Sequence, residues 1–275
     1  TGSKPITSTP KEITTSTTTK QQVVPLYQKT KSRVIDVLHT KLMVDVNWEN
    51  KQLNGEAYLT IKPYYFSLDT VILDAKAMTI EKVILLSKNK ELPIEAINTG
   101  KKLKIPLPYR ASKTDTIDLY IKYIANPEKV TQKGSSAISM AKGLYFINAK
   151  GSNSNKSQQL WTQGETEANS VWFPTIDNPV EKTTQELFIT VEDRFKTLSN
   201  GELIYSSLSE DGFRTDYWKM EKPHSPYLFM MAIGEFSIVE DYWKKNNGEV
   251  MDVFYFVDPK YESYAKAIFG KTVFP

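Results

Sequence analysis

From about Val24 onwards, apolar and polar residues alternate with a period of two in a series of short runs. This alternation is typical of β-strands that turn one face towards a core and the other towards solvent. The runs recur roughly every 10–12 residues, a spacing typical of a sandwich or a large antiparallel sheet. The predicted strands are residues 42–48, 53–61, 71–74, 80–85, 92–97, 103–107, 117–123, 187–191, 201–206, 215–220, 227–233, 236–241 and 250–257.

Turn and helix signals complete this pattern. Residues 49–52 predict the turn of a hairpin between the first two strands. The period changes only after Pro259, where apolar residues recur at helical spacing until Gly270. We therefore predict an all-β fold, a large saddle-shaped antiparallel sheet or sandwich over residues 24–258, followed by a short C-terminal helix within residues 259–275. A β domain that ends in a single helix also suggests that a further domain follows.

The first residues have a different composition. Eleven of residues 1–22 are Ser or Thr, and Pro5 and Pro10 interrupt them. Such a segment buries too little apolar surface to offset the entropy lost on ordering. We predict that residues 1–23 form a flexible leader, suited to a tether ahead of the folded domain. A tether favours an extracytoplasmic location, either periplasmic or attached to a bacterial surface.

Residues that could hold a metal ion are scarce. The chain has no cysteine, which excludes disulfides, cysteine-ligated zinc and a cysteine nucleophile. Its two histidines, His39 and His224, are far apart in sequence, and no H-E-x-x-H motif occurs. A histidine-based catalytic zinc site draws on two or three histidines together with carboxylates. We therefore predict neither a metal site nor a catalytic residue in this chain.

Charge and hydropathy exclude two further classes of partner. The formal net charge is only +3, so no general basic field attracts nucleic acid. No apolar run approaches the ~20 residues that a membrane-spanning helix needs. We expect no nucleic-acid partner and no transmembrane segment.

Residues 161–179 differ from the strands around them. They combine Gly and Pro, paired acids, an amide and large aromatic residues, without the period of a strand or a helix. Loops of this composition, held by flanking strands, often carry binding groups. The same composition also fits a buried connection whose polar groups satisfy its own backbone. The residue types alone leave both interpretations open.

Several motifs in one order resemble those of the aminopeptidase N-like zinc metallopeptidases, the gluzincin aminopeptidases. The motif T-Q-x-E is matched by Thr162 to Glu165, and F-P-x-x-D-x-P by residues 173–179. Further matches are D-V-L-H at 36–39, L-N-G at 53–55, L-F-I-T-V at 187–191, L-S-N-G at 198–201, P-Y-L at 226–228 and I-G-E-F at 233–236. The resemblance covers about residues 33–275.

The resemblance implies a zinc metalloaminopeptidase that removes N-terminal residues from peptides, of which this chain is the N-terminal β domain. Glu165 matches the family's ligand for the substrate α-ammonium, and Gln163 matches the residue that helps to shape that pocket. The family's G-x-M-E-N and H-E-x-x-H motifs do not occur in the chain. Zinc, its activated water and the general base are therefore expected in a missing catalytic domain of the same protein, which would begin with the C-terminal helix. The chain by itself is predicted to be inactive, and its role is to cap the active site.

Other interpretations remain open at this point. We interpret Glu167 as structural, and Asp177 with Lys182 as a packing ion pair. A non-catalytic β-sandwich that binds carbohydrate through exposed Tyr and Trp, or binds protein, is the alternative function. A catalytically inactive family member used as a scaffold is a third.

Overall fold

The structure, a computed structural model, describes residues 32–87, 90–131 and 140–273 together with Gly2. The description below concerns the unit that begins at Arg33. Apart from Gly2, the predicted leader of residues 1–23 lies outside the described residues, as does the start of the predicted β domain.

Strands dominate this unit. The strands are β1 (Ile35–Asn47), β2 (Gln52–Pro63), β3 (Leu68–Asp74), β4 (Met78–Ser87), β5 (Lys90–Pro93), β6 (Ile97–Asn98), β7 (Lys102–Ala111), β8 (Ile117–Ala125), β9 (Leu144–Ile147), β10 (Gln159–Thr162), β11 (Thr183–Glu192), β12 (Lys196–Ser199), β13 (Glu202–Leu208), β14 (Phe213–His224), β15 (Met231–Gly234), β16 (Ser237–Lys244) and β17 (Val250–Val257). The helical segments are α1 (Ala265–Phe269) and the 3-10 turns Pro127–Lys129, Asn169–Val171, Pro226–Leu228, Pro259–Tyr264 and Gly270–Val273.

A large sheet has the strand order β13-β14-β11-β1-β2-β8-β4-β5. Its neighbours are antiparallel except for β1 and β11, which are parallel. Strand β8 shows why the sequence folds in this way, since its apolar residues at alternate positions are buried and the residues between them face outwards. The hairpin of β1 and β2 and the fold class are as predicted.

Two smaller sheets contribute to the same core as the large sheet. The side sheet has the order β12-β15-β10-β9, and the small sheet has the order β3-β7-β6. Their inward side chains join those of the large sheet in one continuous buried cluster. Members of this cluster include Leu42, Leu59, Ile121 and Leu187 from the large sheet, Val71, Leu73, Leu103 and Ile105 from the small sheet, and Leu160, Met231 and Ile233 from the side sheet.

The predicted bounds of some strands were wrong. The run of residues 92–97 is split between β5 and β6, which belong to different sheets. The run of residues 227–233 begins instead as the 3-10 turn Pro226–Leu228, and β15 begins only at Met231. Pro226 lacks a backbone N–H and has its φ restricted to a value that suits the start of such a turn. The short strands β9, β10 and β12 were missed, because four residues carry too little of a period to be recognised.

The C-terminal region consists of the β16–β17 hairpin followed by α1 and its flanking 3-10 turns. The predicted helix is present, but only five residues of it are α-helical. Of its predicted apolar face, Ala265 is buried, whereas Tyr261 and Ile268 are exposed. None of the helices in the described ranges has the length and apolar character needed to cross a membrane.

Candidate functional site

The candidate site begins where β10 leaves the side sheet. Strand β10 lies between β9 and β15, and its Leu160 points into the core. The hydroxyl of Thr162 accepts a hydrogen bond from Met231 N at 2.9 Å, which ties the strand end to β15. Gln163 N donates to Gly143 O at 2.9 Å, so pairing continues one residue beyond the strand. These bonds hold the backbone of Gln163 at the edge of a sheet.

Residues 164–168, called the acidic turn below, are held by close backbone contacts. The turn is closed by Ala168 N, which donates to Gly164 O at 2.9 Å. A Cβ atom at Gly164 would lie 2.3 Å from Tyr227 O. At Gly143, which has a φ of +67°, a Cβ atom would lie 2.0 Å from Ala168 O. Both positions require glycine because neighbouring backbone occupies the space of a side chain.

Asn169 fastens the chain that follows the acidic turn. It is fully buried at the start of the 3-10 turn Asn169–Val171. Its Nδ2 donates to Pro226 O at 2.6 Å and to Phe229 O at 2.8 Å. Its Oδ1 accepts a hydrogen bond from Trp172 Nε1 at 2.8 Å. One amide therefore links this segment to the loop before β15 and to the largest buried side chain of the motif.

We expect Gly164→Ala to destabilise the chain by about 1–3 kcal/mol, because the added methyl group meets backbone that can move only with the loop. The free energy of unfolding from urea titration measures the loss. Gly270→Ala, which has nothing within 4 Å of the added Cβ and a φ of −60°, tests the effect of losing a glycine alone. A Gly164→Ala loss below about 0.5 kcal/mol would contradict the close packing of the acidic turn.

The two residues predicted to bind substrate lie at this turn. Gln163 is half-buried and Glu165 is exposed, with only Gly164 between them. The side chain of Glu165 makes no hydrogen bond or ion pair to any residue in the described ranges. The contacts that hold the acidic turn are made to its backbone, which leaves this carboxylate open to solvent.

A family model described as Peptidase M1 N-terminal domain matches residues 36–228. The chain belongs to the Peptidase M1 N-terminal domain family. This confirms the resemblance read from the T-Q-x-E and F-P-x-x-D-x-P motifs. In keeping with it, the chain is 24% identical to aminopeptidase N of Lactobacillus helveticus over 207 residues, covering 72% of the chain and 21% of that protein. It is also 24% identical to leukotriene A-4 hydrolase of Xenopus laevis over 206 residues, covering 72% of the chain and 31% of that protein.

Solved structures of M1 enzymes share the fold. An M1 zinc metallopeptidase from Deinococcus radiodurans superposes with a TM-score of 0.67 at 16% identity, over 81% of this chain and 47% of that one. Legionella pneumophila aminopeptidase A gives a TM-score of 0.68 at 20% identity, over 85% of this chain and 25% of that one. The M1 N-terminal domain thus spans less than half of these chains, and less than a third of the two curated relatives.

In this M1 N-terminal domain, the predicted ion pair of Asp177 with Lys182 is wrong for the described part of the chain. Lys182 is exposed, whereas Asp177 is buried and accepts a hydrogen bond from Ser170 N at 2.9 Å. Asp177 N in turn donates to Asp74 Oδ2 at 3.2 Å. Burial raises the pKa of the Asp177 carboxyl, since the charged form loses hydration there. Asp177 therefore binds the 3-10 turn after the acidic turn through its side chain and the end of β3 through its backbone N–H.

Both histidines have protein partners. His39 Nδ1 lies 2.7 Å from Thr184 Oγ1, and its Nε2 lies 3.1 Å from Glu186 Oε1. His224 Nε2 lies 3.1 Å from Gln185 Oε1, and burial lowers the pKa of its imidazole. In residues 32–87, 90–131 and 140–273, no three or more His, Cys, Asp or Glu side chains are grouped so that they could hold a metal ion. The described residues of the domain do not fit a zinc site.

An aromatic pair beside Gln163 was not recognised from the sequence. Tyr145 on β9 lies directly opposite Trp161 on β10, and their rings stack with centroids 4.7 Å apart and planes 18° apart. Trp161 precedes Gln163 by two positions, so both side chains lie on the same face of the strand. The pairing depends on the register of β9 and β10, neither of which the sequence pattern revealed.

Proposed function

We propose that this M1 N-terminal domain closes one side of the active site of a zinc aminopeptidase, and that Glu165, with Gln163 beside it, binds the α-ammonium group of the peptide substrate. The observation that supports this most is the position of Glu165. Its carboxylate is exposed on a turn whose backbone is held on both sides, and it has no partner among the described residues.

The geometry suits recognition of a charged N-terminus. A carboxylate forms a charge-assisted hydrogen bond with an ammonium group, and such bonds are about twice as strong as neutral ones. An internal peptide offers no charge and would leave the carboxylate unpaired once the site closes. A turn that is fixed to the sheet holds the bound N-terminus at a set place, so the first peptide bond also lies at a set place.

In this proposal, zinc is bound by the parent protein, the full-length protein of which this chain is one domain, and not by this chain. The relatives in the M1 family include proteins named as zinc metallopeptidases. The described residues do not fit a zinc site, so we assign the metal, its activated water and the general base to another part of the parent. This chain contributes the binding and orientation of the substrate N-terminus.

We expect Glu165→Gln in the full-length parent to lower kcat/KM for an aminoacyl p-nitroanilide at least tenfold, equivalent to about 1.4 kcal/mol, because the amide cannot balance the ammonium charge. Glu167→Gln is the matched control. It removes the same charge from another exposed residue of the same turn. Similar small effects in both variants would reject the role of Glu165.

The isolated chain is expected to have no aminopeptidase activity and no tightly bound zinc. Metal analysis of the purified chain after dialysis against zinc measures the second point. One zinc ion per chain, retained after dialysis, would show that residues of this domain hold the metal after all.

A non-catalytic scaffold role is the second candidate. It is favoured by the 28% identity, over 102 residues, to transcription initiation factor TFIID subunit 2 of Gallus gallus, a relative not named as a peptidase. The parent gene discriminates between the two, since a scaffold needs no H-E-x-x-H motif downstream. A parent that carries this motif and hydrolyses aminoacyl amides excludes the scaffold.

A further inference from the structure

We propose that the stacked pair of Tyr145 and Trp161 forms an apolar wall that contacts the side chain of the substrate's N-terminal residue and favours large apolar or aromatic residues there. The inference rests on the proposed function, because it takes the domain to close one side of an aminopeptidase active site. It goes beyond that function by naming the residues that select among peptides.

The wall lies on the same sheet face as Gln163. Successive residues of a strand point to opposite faces at a rise of about 3.3 Å each, so Trp161 and Gln163 share a face about 6.6 Å apart. The next pair on this face, one residue beyond the end of each strand, is Gly143 and Gln163, which are joined by a backbone hydrogen bond. Gly143 contributes no side chain, so no bulk from β9 separates the aromatic rings from Gln163.

The wall is rigid on one side and open on the other. Tyr145 Oη donates to Met140 O at 2.6 Å and accepts a hydrogen bond from Lys142 N at 3.2 Å, which holds the ring in place. On the other neighbouring strand, Trp161 faces Ala232, whose methyl group covers little of an indole ring. Trp161 accordingly remains 36% exposed.

This exposure distinguishes the pair from aromatic residues that only fill the core. Trp172 and Phe173 in the same segment are also in ring contact, with centroids 4.5 Å apart, but both are fully buried. An indole fixed by a neighbouring ring and accessible from one side is a surface against which apolar and aromatic groups pack favourably. A hydrophobic pocket discriminates between side chains that differ by one methylene by factors of about 10–200.

The test compares Trp161→Ala, Trp161→Phe and Glu165→Gln in the full-length parent, with Ala-, Leu- and Phe-p-nitroanilide as substrates. Trp161→Ala is expected to lower the ratio of kcat/KM for the Phe substrate to that for the Ala substrate about tenfold, through loss of the wall. Trp161→Phe should restore most of this ratio. Tyr109→Ala, which removes an exposed aromatic residue from β7, is the matched control and should leave the ratio unchanged.

The outcomes separate the two proposals. If Trp161→Ala lowers kcat/KM equally for all three substrates while Glu165→Gln behaves as expected, the wall is overturned and the ammonium site stands. If Trp161→Ala changes the ratio but Glu165→Gln has no effect, the wall stands and the ammonium site fails. A parent that hydrolyses none of these amides overturns the proposed function and the wall with it.

Discussion

Asn169→Ala should lower the free energy of unfolding by about 2–6 kcal/mol, the largest loss we expect from a single change near the site. The substitution leaves Phe229 O and Trp172 Nε1 without their buried partner. It also removes one of the two hydrogen bonds that Pro226 O accepts, the other coming from Phe229 N at 3.0 Å. Each unsatisfied buried group costs about 1–3 kcal/mol. Urea titration of the chain, followed by far-UV circular dichroism, measures the change.

Asn169→Asp is the shape-matched control for this prediction. Aspartate keeps an acceptor for Trp172 Nε1 but brings no donor to Pro226 O and Phe229 O, so it should destabilise the chain at least as much as alanine. A loss below about 1 kcal/mol in either variant would show that the amide does not fasten the segment. The proposed function further predicts that Asn169→Ala in the full-length parent lowers kcat/KM, because it loosens the chain next to the acidic turn.

Arg33→Ala should destabilise the chain by about 3–5 kcal/mol at neutral pH, because it leaves a buried carboxylate without its counter-ion. The Glu181 side chain is fully buried. Its two oxygens accept from Arg33 Nε and Nη2, each at 3.0 Å, and its Oε1 also accepts from Val37 N at 2.5 Å. The pair joins the start of β1 to the segment before β11.

This loss should depend on pH. Burial raises the pKa of Glu181 above its ordinary value of 4.5 even with Arg33 present, and without Arg33 the pKa rises further. Between the unfolded and folded pKa values the folded state binds more protons, so stability falls as pH rises through that window. The cost of Arg33→Ala should therefore be larger at about pH 8 than at about pH 5.

The double variant Arg33→Ala/Glu181→Gln provides the control. It removes the charge together with its partner, so it should recover part of the stability and lose the added pH dependence. Urea titrations of both variants at the two pH values measure this. A pH-independent loss in Arg33→Ala would assign the effect to lost packing of the arginine, including its contact with the Tyr64 ring, rather than to the buried charge.

Strands long enough to show their period were predictable from the sequence. The hairpin of β1 and β2 and the strand β8 each contain several repeats of the apolar–polar alternation. The predicted bounds of β17 match the observed ones. Strands β9, β10 and β12 were not, because four residues form strands here only through pairing with distant partners. The candidate site lies at the end of one of these missed strands.

The candidate residues Gln163 and Glu165 were identified from the order of the motifs. The residue types alone did not decide whether residues 161–179 form a binding loop or a buried connection. The structure supplied what the motif does not contain, namely the close approach of Tyr227 to Gly164 and the bonds of Asn169. It also corrected the expected partner of Asp177. The contacts of Gly164 with Tyr227, and of Asn169 with Pro226 and Phe229, join residues that are far apart in the chain, so no local pattern reports them.

The sequence by itself determined the all-β class, the family and the identity of the residues at the acidic turn. These follow from local properties, namely the two-residue period that pairs one apolar face with a core and the order of short motifs. The tertiary structure alone decided that Glu165 is exposed, that Asp177 is buried away from Lys182, and that Tyr145 stacks on Trp161. Exposure, ion pairing and stacking depend on which strands become neighbours, and that arrangement is set by the free energy of packing the whole chain.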